Sequence, residues 1–454
     1  MRPAATGNGF PALALHAPTR RPLAAALGRS LAGLTLVALA IALALVLTRE
    51  PPGATAVVVF GVGVLGSLAI AAVRYEVLVG LGVLLLAVVR FEPAPSDFIF
   101  GVAIAVALAS GQLQRFRIPP SVVCFSAFFV ALNLLSAVEV VDAARASFYL
   151  SITLYLLVFA FWLATWVDSE RKAALVANSY IAAAVLSAVF ATLALFVSFP
   201  GHEHLVDDAR ARGFFKDPNI YVSFLVPAAV IVAERAVALR ASGRRRVLAG
   251  TLFLALTIGV LFSYSRAGWL GLTVALFVLA GVLFLRWEAR RMLVLLAILL
   301  AAGCVALVTV TATGSADFLM QRTQLQDYDE QRFGAQLYGI DQSMRYPLGI
   351  GPGQYEVLGP IAAHSLYVRA LAEHGLLGLL TLLGLVTATL ALGLRNALTR
   401  RDTYGIGSAA LLAAWCGLLA NSFFVDSLHW RHLWLVAALI WTGSMVERRR
   451  PRAV

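Results

Sequence analysis

The sequence predicts an all-α, polytopic integral membrane protein with about 12 to 14 transmembrane helices. Hydrophobic residues make up 60% of the chain and charged residues only 13%, a composition too apolar for a soluble fold. The apolar residues occur in runs of about 20 residues, the length of a helix that crosses a bilayer. No soluble domain, repeat of fixed period or low-complexity tract separates these runs. Residues 1–454 are therefore expected to form a single membrane domain.

The candidate spans follow one another along the whole chain. They lie near 31–48, 54–73, 76–90, 97–114, 119–138, 147–167, 173–199, 218–239, 247–263, 267–286, 292–313, 375–395, 405–424 and 430–446. The run at 76–90 is short, and Pro119 and Pro120 stand at the start of the fifth run. The expected number of crossings is therefore a range, about 12 to 14, rather than one value.

The distribution of basic residues predicts the orientation, since lysine and arginine are retained on the cytoplasmic side. With the N-terminus inside, the inner segments hold 24 of the 36 Lys and Arg residues but only 7 of the 24 Asp and Glu residues. The sequence thus predicts an N-in, C-in topology. The basic tail, 446–454, is expected to contact membrane lipids. Nucleic acid is not an expected partner, because no soluble segment carries a basic patch with interleaved aromatic residues.

Two connections on the predicted outer face are longer than the others, 200–217 and 314–374. The second is the one large loop, and we expect it to contain short interfacial helices. Three polar constellations fall on this face: a cationic motif in the shorter connection, a polar turn at 263–268, and a histidine motif in the large loop. Their convergence on one side of the membrane predicts a shared site.

The first constellation, RARGFFKDPN, contains three cations before a helix start. Arg210, Arg212 and Lys216 precede Pro218, which suits the first helical turn, and Asp217 is an expected N-cap. A helix N-terminus has unsatisfied N–H groups and a partial positive charge, so nearby cations favour phosphate binding. The alternative is an exposed loop whose cations pair with acids of the same segment, namely Glu203, Asp207 and Asp208.

The second constellation, SYSRAG, places Arg266 between two long apolar runs. A charge in membrane-embedded sequence costs roughly 2.5–3.5 kcal/mol on insertion scales, so such residues pair with a group or have a function. The nearest acids along the chain, Glu234 and Glu288, are predicted on the opposite face, which favours an anionic ligand as the partner. Three neighbours are expected to orient the guanidinium: Ser263, Tyr264 and Ser265. The alternative is an arginine that only reaches towards the membrane interface.

The third constellation begins with three glycines, Gly349, Gly351 and Gly353. A phosphate-binding loop of this pattern needs a strand before it and a helix after it. We therefore interpret the glycines as a turn that returns the chain to the membrane.

The same constellation continues with His364 and with three residues that begin a helix, Arg369, Glu373 and Gly375. After Gly375 the helix is wholly apolar. An isolated histidine is more often structural than catalytic. His364 is a stronger candidate than most because two cationic clusters share its predicted face.

Together these patterns resemble the O-antigen ligase family and the related Wzy-type polysaccharide polymerases. The patterns are R-x-x-G-x-F-x-D-P-N, SYSRAGWLG, and GIGPGQY followed by AHSLYVRALAEHGLLG, and they cover about 210–378. The resemblance implies a membrane glycosyltransferase of the GT-C type in the bacterial inner membrane, with its active site facing the periplasm. The implied donor is an undecaprenyl-diphosphate-linked glycan, and the implied acceptor is lipid A–core or a growing glycan.

The resemblance also implies roles for individual residues. By position, the family's two arginines match Arg210 and Arg266, and its histidine, the implied catalytic base, matches His364. Family members often have asparagine after this histidine where the chain has Ser365, so any role of the amide falls to Ser365 or is absent.

The remaining candidates for the diphosphate site are Arg212, Lys216 and Arg369. Arg212 is an additional cation beside Arg210, so the sequence leaves open which of the two meets the diphosphate. Arginines can stabilise a leaving phosphate without a metal, and no metal or cofactor is expected. A metal at His202, His204 and Asp207 is a weak alternative, because histidines spaced in this way in a loop are a poor signal.

Two other functions remain as alternatives. A polymerase would use the same donor chemistry but elongate a lipid-linked glycan, and it ranks second because only one outer loop is extensive here. A polysaccharide or lipid transporter ranks third, since it would place ionisable groups near the bilayer midplane and show inverted repeats.

Overall fold

The computed structural model describes residues 54–90, 92–110, 117–138, 140–238, 242–324, 327–359 and 361–446. The candidate span at 31–48 and the tail beyond 446 lie outside these residues, so both stay predictions.

Nearly all regular structure in this part of the chain is helical. The helices are α1 (Ala54–Leu84), α2 (Pro95–Ala109), α3 (Pro120–Ser136), α4 (Ala143–Trp166), α5 (Glu170–Phe196), α6 (Pro218–Val237), α7 (Gly243–Phe262), α8 (Arg266–Leu285), α9 (Ala289–Ala312), α10 (Ala316–Thr323), α11 (Asp327–Arg345), α12 (Tyr355–Leu358), α13 (Leu366–Leu398), α14 (Ser408–Asn421) and α15 (Arg431–Met445). The remaining regular structure consists of two 3₁₀ turns, Leu85–Ala87 and His202–Leu205, and one short antiparallel hairpin, formed by β1 (Val206–Asp207) and β2 (Arg210–Ala211).

These helices confirm the expected all-α polytopic class. Each expected span from residue 97 onward overlaps one helix. The expected spans 54–73 and 76–90 correspond to two helical segments of α1, which meet at a kink at Arg74, where φ is −154° and ψ is 83°. The second segment ends at Leu84 and continues into the 3₁₀ turn. Within the described residues, seven helices are long and apolar enough to cross a membrane, and these are α4 to α9 and α13. The number of crossings and the orientation stay predictions.

Most of the longer helices begin at a side-chain cap. Asp142, Ser169 and Ser242 accept hydrogen bonds from backbone N–H groups at the starts of α4, α5 and α7. Such caps satisfy N–H groups that have no partner within the helix. The helix starts are therefore set by local sequence.

Helix α6 lies at the centre of the bundle. It is apolar on all sides and almost entirely buried, as expected for a helix surrounded by others. It packs against α7, α8 and α14. This position fixes the N-terminal end of α6, at Pro218, next to the start of α8.

Glycines allow α8 to approach its neighbours closely. A Cβ atom at Gly268 would overlap the side chain of Val222 on α6. One turn later, a Cβ atom at Gly271 would lie 3.0 Å from the carbonyl oxygen of Gly417 on α14. Small residues at such contacts let helix backbones pack at short range in membrane proteins. Close packing thus explains the glycine in SYSRAG. The same close approach of α8 to α6 places Arg266 beside the start of α6.

The segment 314–374 contains the expected short helices, α10, α11 and α12. The glycines that follow α11 form the expected turn, since Gly349, Gly351 and Gly353 all have positive φ. The N–H groups of Ile350 and Gly351 donate to the carbonyls of Ala372 and Glu373, both at 2.9 Å. These hydrogen bonds use the N–H groups that a phosphate loop would present to a ligand. The interpretation as a turn is therefore confirmed.

The turn packs where α13 changes direction. Gly375 lies inside α13 with φ of 68° and ψ of −175°, which is outside the helical region. The turn therefore lies against the carbonyls just before this break, and it attaches the large loop to the bundle.

Candidate functional site

A cavity of about 780 Å³ opens at one end of the bundle. Residues from all three polar constellations line it: Arg210 from the hairpin, Arg266 from the start of α8, and His364 from the segment before α13. The structure thus brings together three residues separated by up to 154 positions in the sequence.

The hairpin presents Arg210 to the cavity. Asp208 and Ala209 connect its two strands and both have positive φ, of 44° and 62°, as a tight two-residue hairpin turn requires. The Nε–H of Arg210 donates to the carbonyl of Ser263 at 3.0 Å. This bond holds the cationic motif against the SYSRAG turn.

The serines of SYSRAG build the start of α8. The Oγ of Ser265 accepts a hydrogen bond from the N–H of Gly268 at 3.2 Å and caps the helix. Its own hydroxyl donates to the Oδ1 of Asn219 at 2.7 Å. The Oγ of Ser263 accepts from the N–H of Ser265 at 3.2 Å. The serines thus position the backbone of Arg266, and the expectation that they and Tyr264 orient its guanidinium stays a prediction.

Arg266 has a protein carboxylate as a partner. One terminal nitrogen of its guanidinium pairs with the Oδ1 of Asp329, and the other donates to the carbonyl of Gln324 at 3.1 Å. The sequence had pointed to a ligand because the nearest acids along the chain were expected elsewhere. That reasoning missed a carboxylate 63 residues away on α11, which the folded loop carries to the site.

Two helix N-termini meet at this cavity. The Oδ1 of Asp217 accepts from the N–H of Asn219 at 2.6 Å, which confirms Asp217 as the N-cap of α6. The bond between Ser265 and Asn219 then joins the start of α6 to the start of α8. Helix N-termini carry partial positive charge, so both helices add to the positive potential at this end of the cavity.

His364 stands at the edge of the cavity in a restricted backbone conformation. Its φ is 49°, a region that is uncommon for residues other than glycine and concentrates at functional sites. Its side chain is half-buried. Burial, and then the positive charge of Arg332, lower the pKa of the His364 imidazole below its usual value. The neutral form is therefore favoured, as a proton acceptor requires.

Ser365 caps the start of α13. Its side chain accepts from the N–H of Val368 at 3.5 Å and caps α13. Serine and asparagine are both preferred N-caps. Either residue after the histidine can therefore start the helix.

The structure adds two cations that sequence analysis missed, Arg322 on α10 and Arg332 on α11. Four arginines and three aspartates line the cavity, so their formal charges leave an excess of one positive charge. No short motif marks Arg332, since it lies in an amphipathic helix rich in charged residues. Its location within the large loop was the one available signal.

Apolar residues also line the cavity. Leu270, Phe318, Phe333 and Phe424 line it together with the charged residues, and three of these side chains, those of Leu270, Phe333 and Phe424, are also exposed on the surface. A cavity lined by both cationic and apolar side chains fits an anionic amphiphile better than a small hydrophilic anion.

Arg212 and Lys216 do not line the cavity. The Nε–H of Arg212 donates to the carbonyl of His204 at 3.3 Å, and the guanidinium lies 3.6 Å from Asp207. Lys216 pairs with Glu92 at 3.3 Å. The alternative of cations paired within an exposed loop thus describes Arg212, while Arg210 faces the cavity.

Arg369 also lies away from the cavity, in a buried ionic cluster. Its guanidinium is 3.0 Å from Glu356 and 3.2 Å from Glu373, it pairs with Asp426, and it lies over the ring of Tyr149 at 4.8 Å. Its side chain is only 5% exposed. The structure therefore assigns Arg369 to the packing of the large loop and not to the cavity.

The histidines of the 3₁₀ turn also have their own contacts. His202 and His204 each lie near Glu203, at 3.3 and 3.5 Å. Among the described residues, no group of three or more His, Cys, Asp or Glu side chains is arranged to hold a metal ion.

Residues 251–383 match the family model described as O-antigen ligase. This match agrees with the resemblance of the motifs, and it spans Arg266, Arg322, Arg332 and His364, while Arg210 lies before it. No curated protein matches the chain. The matched region and the apolar helices together indicate a multi-pass membrane protein similar to O-antigen ligases.

Proposed function

We propose that the protein transfers a glycan from undecaprenyl diphosphate to an acceptor sugar hydroxyl. The specific reaction is O-antigen ligation to lipid A–core, carried out by a GT-C-type enzyme at the periplasmic face of the bacterial inner membrane. The observation that carries this proposal is the cavity in which Arg210, Arg266 and His364 come together. The match to the O-antigen ligase family supports it.

The arginines act on the leaving group. When the bond between the anomeric carbon and the diphosphate oxygen breaks, its electron pair stays on the diphosphate. Guanidinium groups bind phosphate oxygens with two parallel hydrogen bonds. Arg210 and Arg266 stabilise the developing charge most effectively if they are held in place beforehand, which their bonds to Ser263 and Asp329 support.

His364 acts on the acceptor. The acceptor oxygen forms the new bond to the anomeric carbon, while its proton moves to the neutral imidazole of His364. This general-base step contributes typically about 10² to 10⁴-fold to the rate. Attack from the side opposite the leaving diphosphate inverts the anomeric configuration. The reaction needs no metal, because arginine charge replaces it at the diphosphate, and we expect full activity in the presence of a chelator.

The proposal is tested with the purified protein in lipid nanodiscs and a polyprenyl-diphosphate-linked glycan. His364→Ala should lower the rate of transfer about 10² to 10⁴-fold while the affinity for the donor stays near that of the wild type. His202→Ala is the matched control, because this histidine lies outside the cavity, and it should transfer normally. Loss of donor binding in His364→Ala would instead assign His364 to binding, and normal transfer would remove it from the reaction.

Deletion of the gene separates ligation from polymerisation. Loss of glycan attachment to lipid A–core, with long lipid-linked chains accumulating, is the expected outcome. Surface glycans of a single repeat would instead identify a polymerase and overturn the assignment of ligation.

A further inference from the structure

Helix α11 carries an exposed apolar stripe outside the long apolar helices. Phe333, Leu337, Ile340 and Met344 are 50%, 67%, 40% and 72% exposed. Their spacing of four, three and four residues places them on one face of the helix. We call these four residues the α11 stripe. Contiguous exposed apolar surface of this kind marks a binding surface.

The opposite face of α11 is fixed to the rest of the protein. Ala335 is buried, and the hydroxyl of Tyr338 donates to the carbonyl of Leu358 at 2.9 Å. A Cβ atom at Gly339 would lie 2.7 Å from the side chain of Val368 on α13. These contacts fix which face of α11 packs against the protein. The α11 stripe, on the opposite face, is therefore exposed.

One end of the α11 stripe lies at the cavity. Phe333 belongs to the stripe and also lines the cavity. The residue before it, Arg332, lines the same cavity. The α11 stripe therefore begins at a residue of the cavity lining, next in sequence to one of the cavity's arginines.

The other end continues to an apolar surface of α13. Leu348, in the turn that follows α11, is exposed, and its carbonyl carbon would lie 3.0 Å from a Cβ atom at Gly375. Leu376, the next residue, is exposed on the apolar part of α13. The α11 stripe thus connects the cavity to the surface of a membrane-spanning helix over about 16 Å of helix.

We propose that the α11 stripe binds the prenyl chain of a lipid diphosphate whose charged group occupies the cavity. This inference rests on the proposed function, which supplies the lipid diphosphate. A ligand with an anionic head and a long apolar chain matches the order of surfaces along this path, from Arg332 through Phe333 to Leu376.

Two other occupants fit less well. Helices that lie on a bilayer usually carry a polar face rich in Lys and Arg, whereas α11 has four acidic and two basic residues. A second copy of the chain would need about 800 Å² of interface on each partner, far more than one row of four side chains offers.

The test compares the binding of two ligands, undecaprenyl diphosphate and dimethylallyl diphosphate, to the protein in nanodiscs. Leu337→Gln places a polar group in the middle of the α11 stripe. Burial of a leucine side chain contributes about 1.5–3 kcal/mol, so the affinity for the long-chain ligand should fall about tenfold or more. The affinity for dimethylallyl diphosphate should stay unchanged.

Met320→Gln is the matched control. Met320 lies on α10 in the same loop, is as exposed as Leu337 at 67%, and does not line the cavity. It should bind both ligands as the wild type does. If Leu337→Gln weakens both ligands equally, or neither, the prenyl-chain assignment is overturned. A dimer that dissociates in Leu337→Gln while both affinities persist would assign the α11 stripe to a second copy and also overturn it.

Arg266→Lys separates this inference from the proposed function. If Arg266→Lys weakens both ligands while Leu337→Gln weakens neither, the diphosphate site stands and the chain site fails. If Arg266→Lys leaves both affinities and the rate of glycan transfer intact, the diphosphate site of the proposed function fails, whatever the effect of Leu337→Gln.

Discussion

Arg266 and Arg369 look alike in the sequence but occupy opposite environments. Both lie at the start of an apolar helix and both were candidates to bind the diphosphate. In the structure, Arg266 lines the cavity with its side chain 29% exposed, whereas Arg369 is 5% exposed among Glu356, Glu373 and Asp426. A guanidinium surrounded by carboxylates inside the protein is not accessible to a ligand. One at the mouth of a cavity remains accessible to a ligand.

The difference comes from what each helix meets. α8 begins against α6, at an end of the bundle where the hairpin and α11 leave a cavity. Near the start of α13, Arg369 pairs with Glu356 of the large loop and with Asp426 of the segment between α14 and α15. Charge alone therefore does not identify a ligand site, because accessibility decides between two similar arginines.

The largest effect is expected from removing the buried charge. Arg369→Met leaves three carboxylates near one another without their cation, and breaking a buried ion pair costs about 3–5 kcal/mol. We expect a large loss of stability, measured as a lower midpoint of thermal unfolding in detergent. Arg345→Met is the control, since Arg345 is exposed and pairs with Asp341 within one helix turn. Equal midpoints for the two variants would show that the cluster does not stabilise the fold.

A smaller effect is expected from Arg266→Lys at the cavity, where the activation free energy of transfer should change but the stability should not. Arg266→Lys keeps the positive charge but loses the planar pair of donors that phosphate binding uses. Loss of one such stabilising contact reduces the rate about 10² to 10³-fold, or about 2.7–4 kcal/mol. The unfolding midpoint should stay near that of the wild type. Near-normal glycan transfer would remove Arg266 from the site.

The hairpin offers the same comparison between two neighbouring arginines. Arg210→Gln should lower transfer by about tenfold to a hundredfold, because a hydrogen bond to a charged group is worth about 1.5–3 kcal/mol. Arg212→Gln should have little effect on transfer, since Arg212 does not line the cavity and its guanidinium is engaged by the carbonyl of His204 and the carboxylate of Asp207. The measurement is the initial rate with saturating acceptor. A greater loss in Arg212→Gln would reverse the assignment.

Local sequence signals predicted the scaffold of this site well. The apolar runs located the helices, and the residues DPN located the start of α6 because Asp217 and Pro218 favour an N-cap and a first turn. The short SYSRAG connection likewise placed Arg266 at the first turn of α8. Each of these features depends on neighbouring residues alone, so the sequence contains the necessary information.

The partners of the charged residues were not predictable in the same way. Asp329 reaches Arg266, and Arg332 reaches the cavity, only because the opposite face of α11 packs on α13. Such contacts depend on tertiary packing, for which the sequence carries no local rule. One missed signal was local: Arg369 and Glu373 are four residues apart on a helix, a spacing that favours an ion pair.

The mildest change, Arg332→Gln, tests whether the cavity's arginines act on His364 as well as on the ligand. Burial is the main cause of the lowered pKa of His364, and the charge of Arg332 lowers it further. Three carboxylates oppose this effect by raising the pKa, those of Asp217, Asp426 and Glu356. Removing the Arg332 charge leaves burial and these carboxylates in place, so the pKa of His364 should rise.

The direction of the pH effect follows from the role of His364. A base acts in its neutral form, which is lost as the pH falls through the pKa. A higher pKa in Arg332→Gln therefore moves the acidic limb of the kcat/KM profile to higher pH. Arg345→Gln, on the same helix but away from the cavity, should leave the limb in place. An unmoved limb in Arg332→Gln would mean that Arg332 lines the cavity without influencing His364, and a limb moved to lower pH would contradict the role of His364 as base.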